Sequence, residues 1–125
     1  HYLINMIEFW QPDLVVLEDI QLQKFGTISG QENEGVITFK KLAALQGVLK
    51  NYCFETGIVY KIVPPATWRA YSEIKGKQRT DKKKNAQLKV KKLYDISVTQ
   101  DEADAILIGA WAVHDHNQSK IIMFE

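Results

Sequence analysis

Two aspartates, Asp101 and Asp104, stand at the head of a run of residues that is otherwise almost entirely apolar, from Ala105 to Val113. Thr99 and Glu102 have the spacing of a capping box, which predicts a helix that begins here and brings both aspartates to one face. An acid in a first turn, such as Asp101, complements the helix dipole without any further role. Asp104 lies one turn further in, beside residues predicted to be buried, and its charge is costly unless a cation neutralises it. The pattern favours a divalent metal ion as that cation, and a capping role is the alternative.

A third acid, Glu18, follows the four apolar residues Leu14 to Leu17, two of which are β-branched. Such an unbroken run predicts a central strand of a parallel sheet, covered on both faces. Open α/β sheets bind ligands at the carboxyl ends of their strands, which makes Glu18 a candidate metal ligand. The alternative is an acid at the end of a strand that faces water.

The charge of the chain is distributed unevenly, although the formal net charge is only +1. Residues 75–92 carry nine Lys or Arg and one Asp, for a net charge of +8, and the rest carries seven bases and fourteen acids, for −7. A basic segment beside an acidic metal-binding centre suits a phosphodiester backbone, and a solvated run of charges is the alternative. The side chains predicted to contact DNA phosphates are Arg69, Lys75, Lys77, Arg79, Lys82, Lys83 and Lys84.

Length and composition set further bounds. A chain of 125 residues with 46% hydrophobic residues predicts one globular domain over 1–125 with a core of its own. The single cysteine, Cys53, excludes an internal disulfide and a cysteine zinc site, so we expect a reducing, cytoplasmic setting. No segment has the length of a membrane span, and no membrane partner is expected. The chain begins with His1 inside a predicted helix, so we expect it to be a piece of a longer protein.

Helices and strands alternate along the chain. Apolar residues at helical spacing predict an opening helix that ends near Trp10, and the polar residues 21–35 predict a loop. A helix over 38–54, ended by Gly57, has an apolar surface wider than one stripe. Gly47 in its middle allows another backbone to approach closely, so this helix is either simply well buried or also packs against a second copy of the chain. Further predicted elements are a strand over 58–63, a short helix over 66–74, a helix over 85–94 and an optional strand over 121–124.

These residues, in this order, resemble the RuvC family of Holliday junction resolvases, in the ribonuclease H-like superfamily. The resemblance spans nearly the whole chain and rests on Pro12–Glu18, Leu42–Val48, Pro65 with Arg69, the Gly- and Lys-rich segment, and Asp101–Ala105. It implies a three-layer α/β/α fold and a homodimeric, magnesium-dependent endonuclease that cuts four-way DNA junctions in recombination and repair. By the same resemblance Glu18, Asp101 and Asp104 are catalytic residues and metal ligands. The helix around Gly47 would form the dimer.

The chain departs from the family pattern in two ways. The family's opening antiparallel strands, the first of which carries a fourth carboxylate, have no counterpart in residues 1–125. We therefore expect these residues alone to be inactive. Lys82, Lys83 and Lys84 compete for the family's lysine position before Gln87.

Two Mg²⁺ ions per complete site, replaceable by Mn²⁺, would activate a water and stabilise the leaving oxygen of an in-line phosphodiester displacement.

The same residues suit two other functions. One is a non-catalytic module that binds DNA junctions, in which the acids are structural. The other is a different ribonuclease H-like nuclease, such as a transposase or an RNA–DNA hybrid nuclease. Magnesium-dependent nicking of a four-way junction, absent on linear duplex, separates the resolvase from both.

Overall fold

The computed structural model describes residues 2–20 and 34–124, with side-chain surroundings for 2–20 and 35–118. In chain order the elements are α1 (Tyr2–Trp10), β1 (Leu14–Glu18), α2 (Glu34–Thr56), β2 (Val59–Val63), α3 (Pro65–Tyr71), α4 (Arg79–Tyr94) and α5 (Gln100–Phe124). The chain is a small, mostly helical α/β protein in which β1 and β2 form a two-stranded parallel sheet. The predicted α/β class is confirmed. No antiparallel strand occurs among the described residues, and the ribonuclease H-like fold stays a prediction.

The chain divides into two compact units, residues 1–62 and 63–125. Helix α2 of the first unit connects the parallel strands β1 and β2 as a crossover. In the second unit α3 and α4 both pack against α5. The single domain over 1–125 stays a prediction.

Particular residues end the helices of the first unit. Gln11 has a positive φ of 47°, and its N–H donates to the carbonyl of Ile7 at 2.9 Å. Gly57 has a φ of 74°, and the N–H of Ile58 donates to the carbonyl of Cys53 at 2.9 Å. This is a Schellman termination, and its left-handed position explains why glycine follows α2.

Several predicted boundaries and one predicted strand are wrong, and the short helix predicted over 66–74 is α3, which ends at Tyr71. Helix α2 begins at Glu34 rather than at residue 38, whereas residues 21–33 of the predicted loop lie outside the described residues. Helix α4 begins at Arg79 rather than at residue 85, because Gln78 and Asp81 form a capping box and lysines are good helix formers. The strand over 121–124 is wrong because α5 continues to Phe124, with neither glycine nor proline after Gly109 to stop it.

The predicted burial is also wrong in two places. Strand β1 is half-buried along its whole length rather than covered on both faces. Helix α5 buries Leu107 and Ala112 but leaves Ala105, Gly109 and Val113 exposed, so it is apolar all round without being buried all round. No helix within the described residues is long and apolar enough to cross a membrane.

Candidate metal centre

The first turn of α5 is fixed by the predicted capping box, which the structure confirms. The backbone N–H of Thr99 donates to Oε1 of Glu102 at 3.0 Å, and the N–H of Glu102 donates to Oγ1 of Thr99 at 3.2 Å. The backbone bond and then the side-chain bond with Thr99 lower the pKa of Glu102 below its usual value of 4.5. The helix start is therefore held by Glu102, which leaves the neighbouring aspartates available for another role.

Asp101 and Asp104 lie on one face of α5, as predicted. The evidence is that a single ammonium group contacts both carboxylates. Nζ of Lys83 lies 2.6 Å from Oδ2 of Asp104 and 3.3 Å from Oδ1 of Asp101. The side chain of Asp104 is only 13% exposed, that of Lys83 is 15% exposed, and that of Asp101 is 97% exposed. The pair of carboxylates thus has a buried member and a solvent-facing member, joined by one cation.

The cation that neutralises the buried Asp104 in this structure is therefore Lys83. Burial by itself lowers the pKa of Lys83, but the hydrogen bonds and charges of Asp104, and then of Asp101, together outweigh burial and raise the pKa above its usual value of 10.5. Lys83 thus remains protonated at neutral pH. The ion pair explains Asp104 as a structural residue without any metal, since a buried charge is tolerated when it is paired and hydrogen-bonded.

The two carboxylates are also chemical groups of the kind that bind divalent ions. The oxygens of Asp101 and Asp104 converge on a point that already holds a positive charge, and carboxylate oxygens are the ligands that Mg²⁺ and Mn²⁺ prefer. Among the described residues, however, no three His, Cys, Asp or Glu side chains gather closely enough to hold a metal. Glu18 is the half-buried last residue of β1, in the first unit. Its role as third ligand stays a prediction.

Lys83 is positioned by the face of α4 that packs against α5. Ala86 and Val90, three and seven residues later, are fully buried in the second unit, where α4 packs on α5. Nε2 of Gln87 donates to the carbonyl of Val98 at 3.0 Å, which ties α4 to the segment before α5. Because residues three, four and seven apart share a helix face, Lys83 extends the packed face of α4 toward the aspartates.

Gly76 lies close to the start of this helix. Its φ is 152°, and a Cβ added there would lie 2.9 Å from Cβ of Asp81 and 3.1 Å from the backbone nitrogen of Lys82. A side chain at this position would push on the first turn of α4. The glycine of the basic segment therefore has a local steric reason, independent of any ligand.

The other basic residues lie on three different elements. Lys75 and Lys77 are exposed in the loop before α4, and Lys82 and Lys84 flank Lys83 on α4 as half-buried and exposed residues respectively. The guanidinium of Arg69, on α3, lies 5.3 Å from the ring centroid of the buried Trp68. Arg79 opens α4, so the basic segment is partly helical and not an extended arm.

Two contacts of the second unit were not predicted from the sequence. One is the pairing of Lys83 with both aspartates, for which the spacing to Ala86 and Val90 is only a partial signal, because Lys82 has a similar spacing. The other is a stack of Tyr71 on His114, with ring centroids 4.6 Å apart and an interplanar angle of 22°. No sequence pattern indicates that stack, because the two residues lie on different helices.

Compared with models of protein families, with curated proteins and with solved structures, the chain gives no match. The resemblance to the RuvC family therefore rests on the residues quoted for it alone.

Proposed function

We propose that the chain contributes the metal-binding acids of a structure-selective DNA endonuclease that resolves four-way junctions. The observation that carries the proposal is the meeting of Asp101 and Asp104 with Lys83. Two carboxylates one turn apart are available to hold metal, and the lysine belongs to the most basic helix of the chain. Acids that bind metal beside bases that bind phosphate are the combination that phosphodiester hydrolysis requires.

In this proposal each group has a named task. Glu18, Asp101 and Asp104 hold Mg²⁺ or Mn²⁺, which supplies an activated water and stabilises the leaving oxygen when bound. The exposed Lys75, Lys77 and Lys84 bind phosphates, which adds salt-sensitive affinity but no sequence choice. The homodimer through the helix around Gly47 would present two such sites to the two symmetric strands of a junction.

The ion pair of Lys83 and Asp104 favours a second candidate, a module that binds DNA junctions without cutting them. In that case Asp104 is structural, because its buried charge is already satisfied by the lysine. Both candidates predict binding to a four-way junction. Only the nuclease predicts that the acids matter for a reaction.

The test is nicking of a synthetic four-way junction with Mg²⁺, compared with a linear duplex of the same sequence. Residues 1–125 are assayed together with any longer product that the coding sequence specifies upstream. Asp104→Asn, Asp101→Asn and Glu18→Gln should each reduce cutting by at least about 10³-fold, because each removes a metal-binding charge at the reacting centre. Junction binding should be retained or tighter, since a negative charge near phosphate is lost.

Asp115→Asn, on the same helix as Asp104 but three turns away, is the matched control and should leave cutting unchanged. Binding without any metal-dependent nicking by the longest product would support the non-catalytic module. Full cutting by Asp104→Asn would remove that residue from the mechanism.

A further inference from the structure

Lys83 occupies the position that a divalent cation would need at the two aspartates. Its Nζ lies 2.6 Å from the buried Oδ2 of Asp104 and also reaches Oδ1 of Asp101. Mg²⁺ binds carboxylate oxygens at about 2.0–2.1 Å. An ammonium group and a metal ion on the same oxygens would bring two positive charges within a few ångströms of each other, where they repel strongly in a half-buried site.

We propose that Lys83 is a built-in counter-cation that sets the metal affinity of this site and leaves Asp104 when a divalent ion binds. The inference rests on the proposed function, because it concerns the same carboxylates. It goes further in assigning Lys83 a role opposite to that of a metal ligand: the lysine competes with the ion. Lys83 does not bind the ion itself. It is a positioning residue, because it affects the ion only through its contacts with the two aspartates.

The ion pairs assign the competition to Lys83, and the exposure of Lys84 separates it from that neighbour. Successive residues of a helix point about 100° apart, as follows from 3.6 residues per turn. Lys84 is exposed, whereas the side chain of Lys83 is 15% exposed and contacts both carboxylates. Without metal, Lys83 also relieves the repulsion between two like charges one turn apart. The lysine therefore offsets one of the two negative charges before any ion arrives, at the cost of weaker ion binding.

The experiment measures Mn²⁺ binding to residues 1–125 by isothermal titration calorimetry, with no DNA present. Lys83→Met keeps the aliphatic stem but removes the competing charge, and it should bind Mn²⁺ about tenfold more tightly than the unaltered chain. Lys83→Arg keeps the charge and should stay within about twofold of the unaltered chain. Lys84→Met removes the adjacent exposed charge and should likewise stay within about twofold. Asp104→Asn should abolish the binding.

Thermal unfolding gives a second readout that needs no activity. Without metal, Lys83→Met should unfold at a lower temperature, because Asp104 is left buried and unpaired. Saturating Mn²⁺ should then raise its unfolding temperature by more than it raises that of the unaltered chain. Lys83→Gln is measured beside it, so that loss of folding in one variant leaves the comparison intact.

The outcomes separate this inference from the proposed function. Equal or weaker Mn²⁺ binding by both neutral Lys83 variants overturns the inference, whether or not junctions are cut. Unchanged binding by Asp104→Asn overturns it too, because the ion then lies elsewhere. Tighter binding by the Lys83 variants supports it even where no junction is cut, and in that case only the proposed function fails.

Discussion

The two compact units differ in how well they cover their apolar surface. In residues 63–125 the side chains of Trp68, Val90 and Leu107 are completely buried. In residues 1–62, Phe9 is 78% exposed and Phe54 is 82% exposed. Both units have buried and exposed apolar residues, but most of the large, completely buried side chains lie in the second unit and the most exposed aromatic side chains lie in the first.

The difference shows where further contacts are needed. Exposed apolar side chains that stand alone are ordinary, but aromatic residues on two helices of one small unit suggest surfaces that something else covers. Within the described residues the sheet of the first unit has two strands, and two-stranded sheets are only marginally stable by themselves. The candidate site depends on the second unit for its packed aspartates and lysine. Glu18, which the proposal adds as a metal ligand, lies on β1 of the first unit.

The largest predicted effect tests whether the two units really differ in packing. Leu107→Ala should reduce the free energy of unfolding by about 2–5 kcal/mol, because it removes a fully buried side chain and leaves a cavity. Phe9→Ala should cost about 1 kcal/mol or less, since Phe9 mainly meets Trp10 edge-on at 5.3 Å between ring centroids. Urea unfolding followed by circular dichroism measures both.

Equal costs for the two substitutions would contradict the comparison. A large cost at Phe9 would mean that α1 is covered in solution, by a second copy or by another segment. Size-exclusion chromatography of the unaltered chain at two concentrations separates these, because only self-association depends on concentration.

The next prediction concerns the proposed dimer and the exposed face of α2. Val48 is 50% exposed, and a Cβ added at the neighbouring Gly47 would meet no atom within 4 Å, so this face has room for a second backbone. Val48→Glu should raise the dissociation constant of the dimer at least tenfold, about 1.4 kcal/mol, by burying an unpaired charge in the interface. Light scattering coupled to chromatography gives the oligomeric state.

Leu42→Glu places the same charge about 140° around α2 from Gly47 and about 120° from Val48, at a residue that is 45% exposed, and should leave the oligomeric state unchanged. Leu49 is unsuitable for this test because it is 4% exposed, so a charge there would unfold the chain instead. If the unaltered chain is monomeric at all concentrations, the dimer proposal is wrong.

The secondary structure was largely predictable because it depends on local patterns. The spacing of apolar residues predicted α1 and the strand ending at Glu18, and Gly57 marked the end of α2. The start of α4 at Arg79 is not predicted from the sequence. A run of charged residues is typical of a loop, although lysine favours a helix. The apolar run that predicts α5 ends at Val113, but the residues after it include neither glycine nor proline, and the helix continues to Phe124.

The candidate site was predictable in part. The shared face of Asp101 and Asp104 follows from helix geometry alone, and the cost of burying Asp104 required a cation. Which cation it is depends on tertiary packing, because Lys83 lies 21 residues away from Asp104 on a different helix. Sharing a face with Ala86 and Val90 sets Lys82 and Lys83 apart from the exposed Lys84 once the helix is extended back to Arg79, but only the packed structure shows that it is Lys83 that contacts the aspartates.

The smallest predicted effect concerns the start of α5, which holds the better-packed unit's aspartates in place. Thr99→Ala removes the hydroxyl that accepts from the N–H of Glu102, and it should lower the free energy of unfolding by about 1 kcal/mol. The N–H of residue 99 still donates to Glu102 in this variant, so part of the cap remains.

The pKa of Glu102 is lowered in the folded chain, so its contribution to stability is present above pH 4.5 and is lost as the pH falls through the lowered value. Urea unfolding at pH 7 and at pH 3 should therefore show a smaller difference between the unaltered chain and Glu102→Gln at pH 3 than at pH 7. A difference that grows toward pH 3 would show that the carboxylate of Glu102 does not cap the helix, and the first turn that carries Asp101 and Asp104 would need another support.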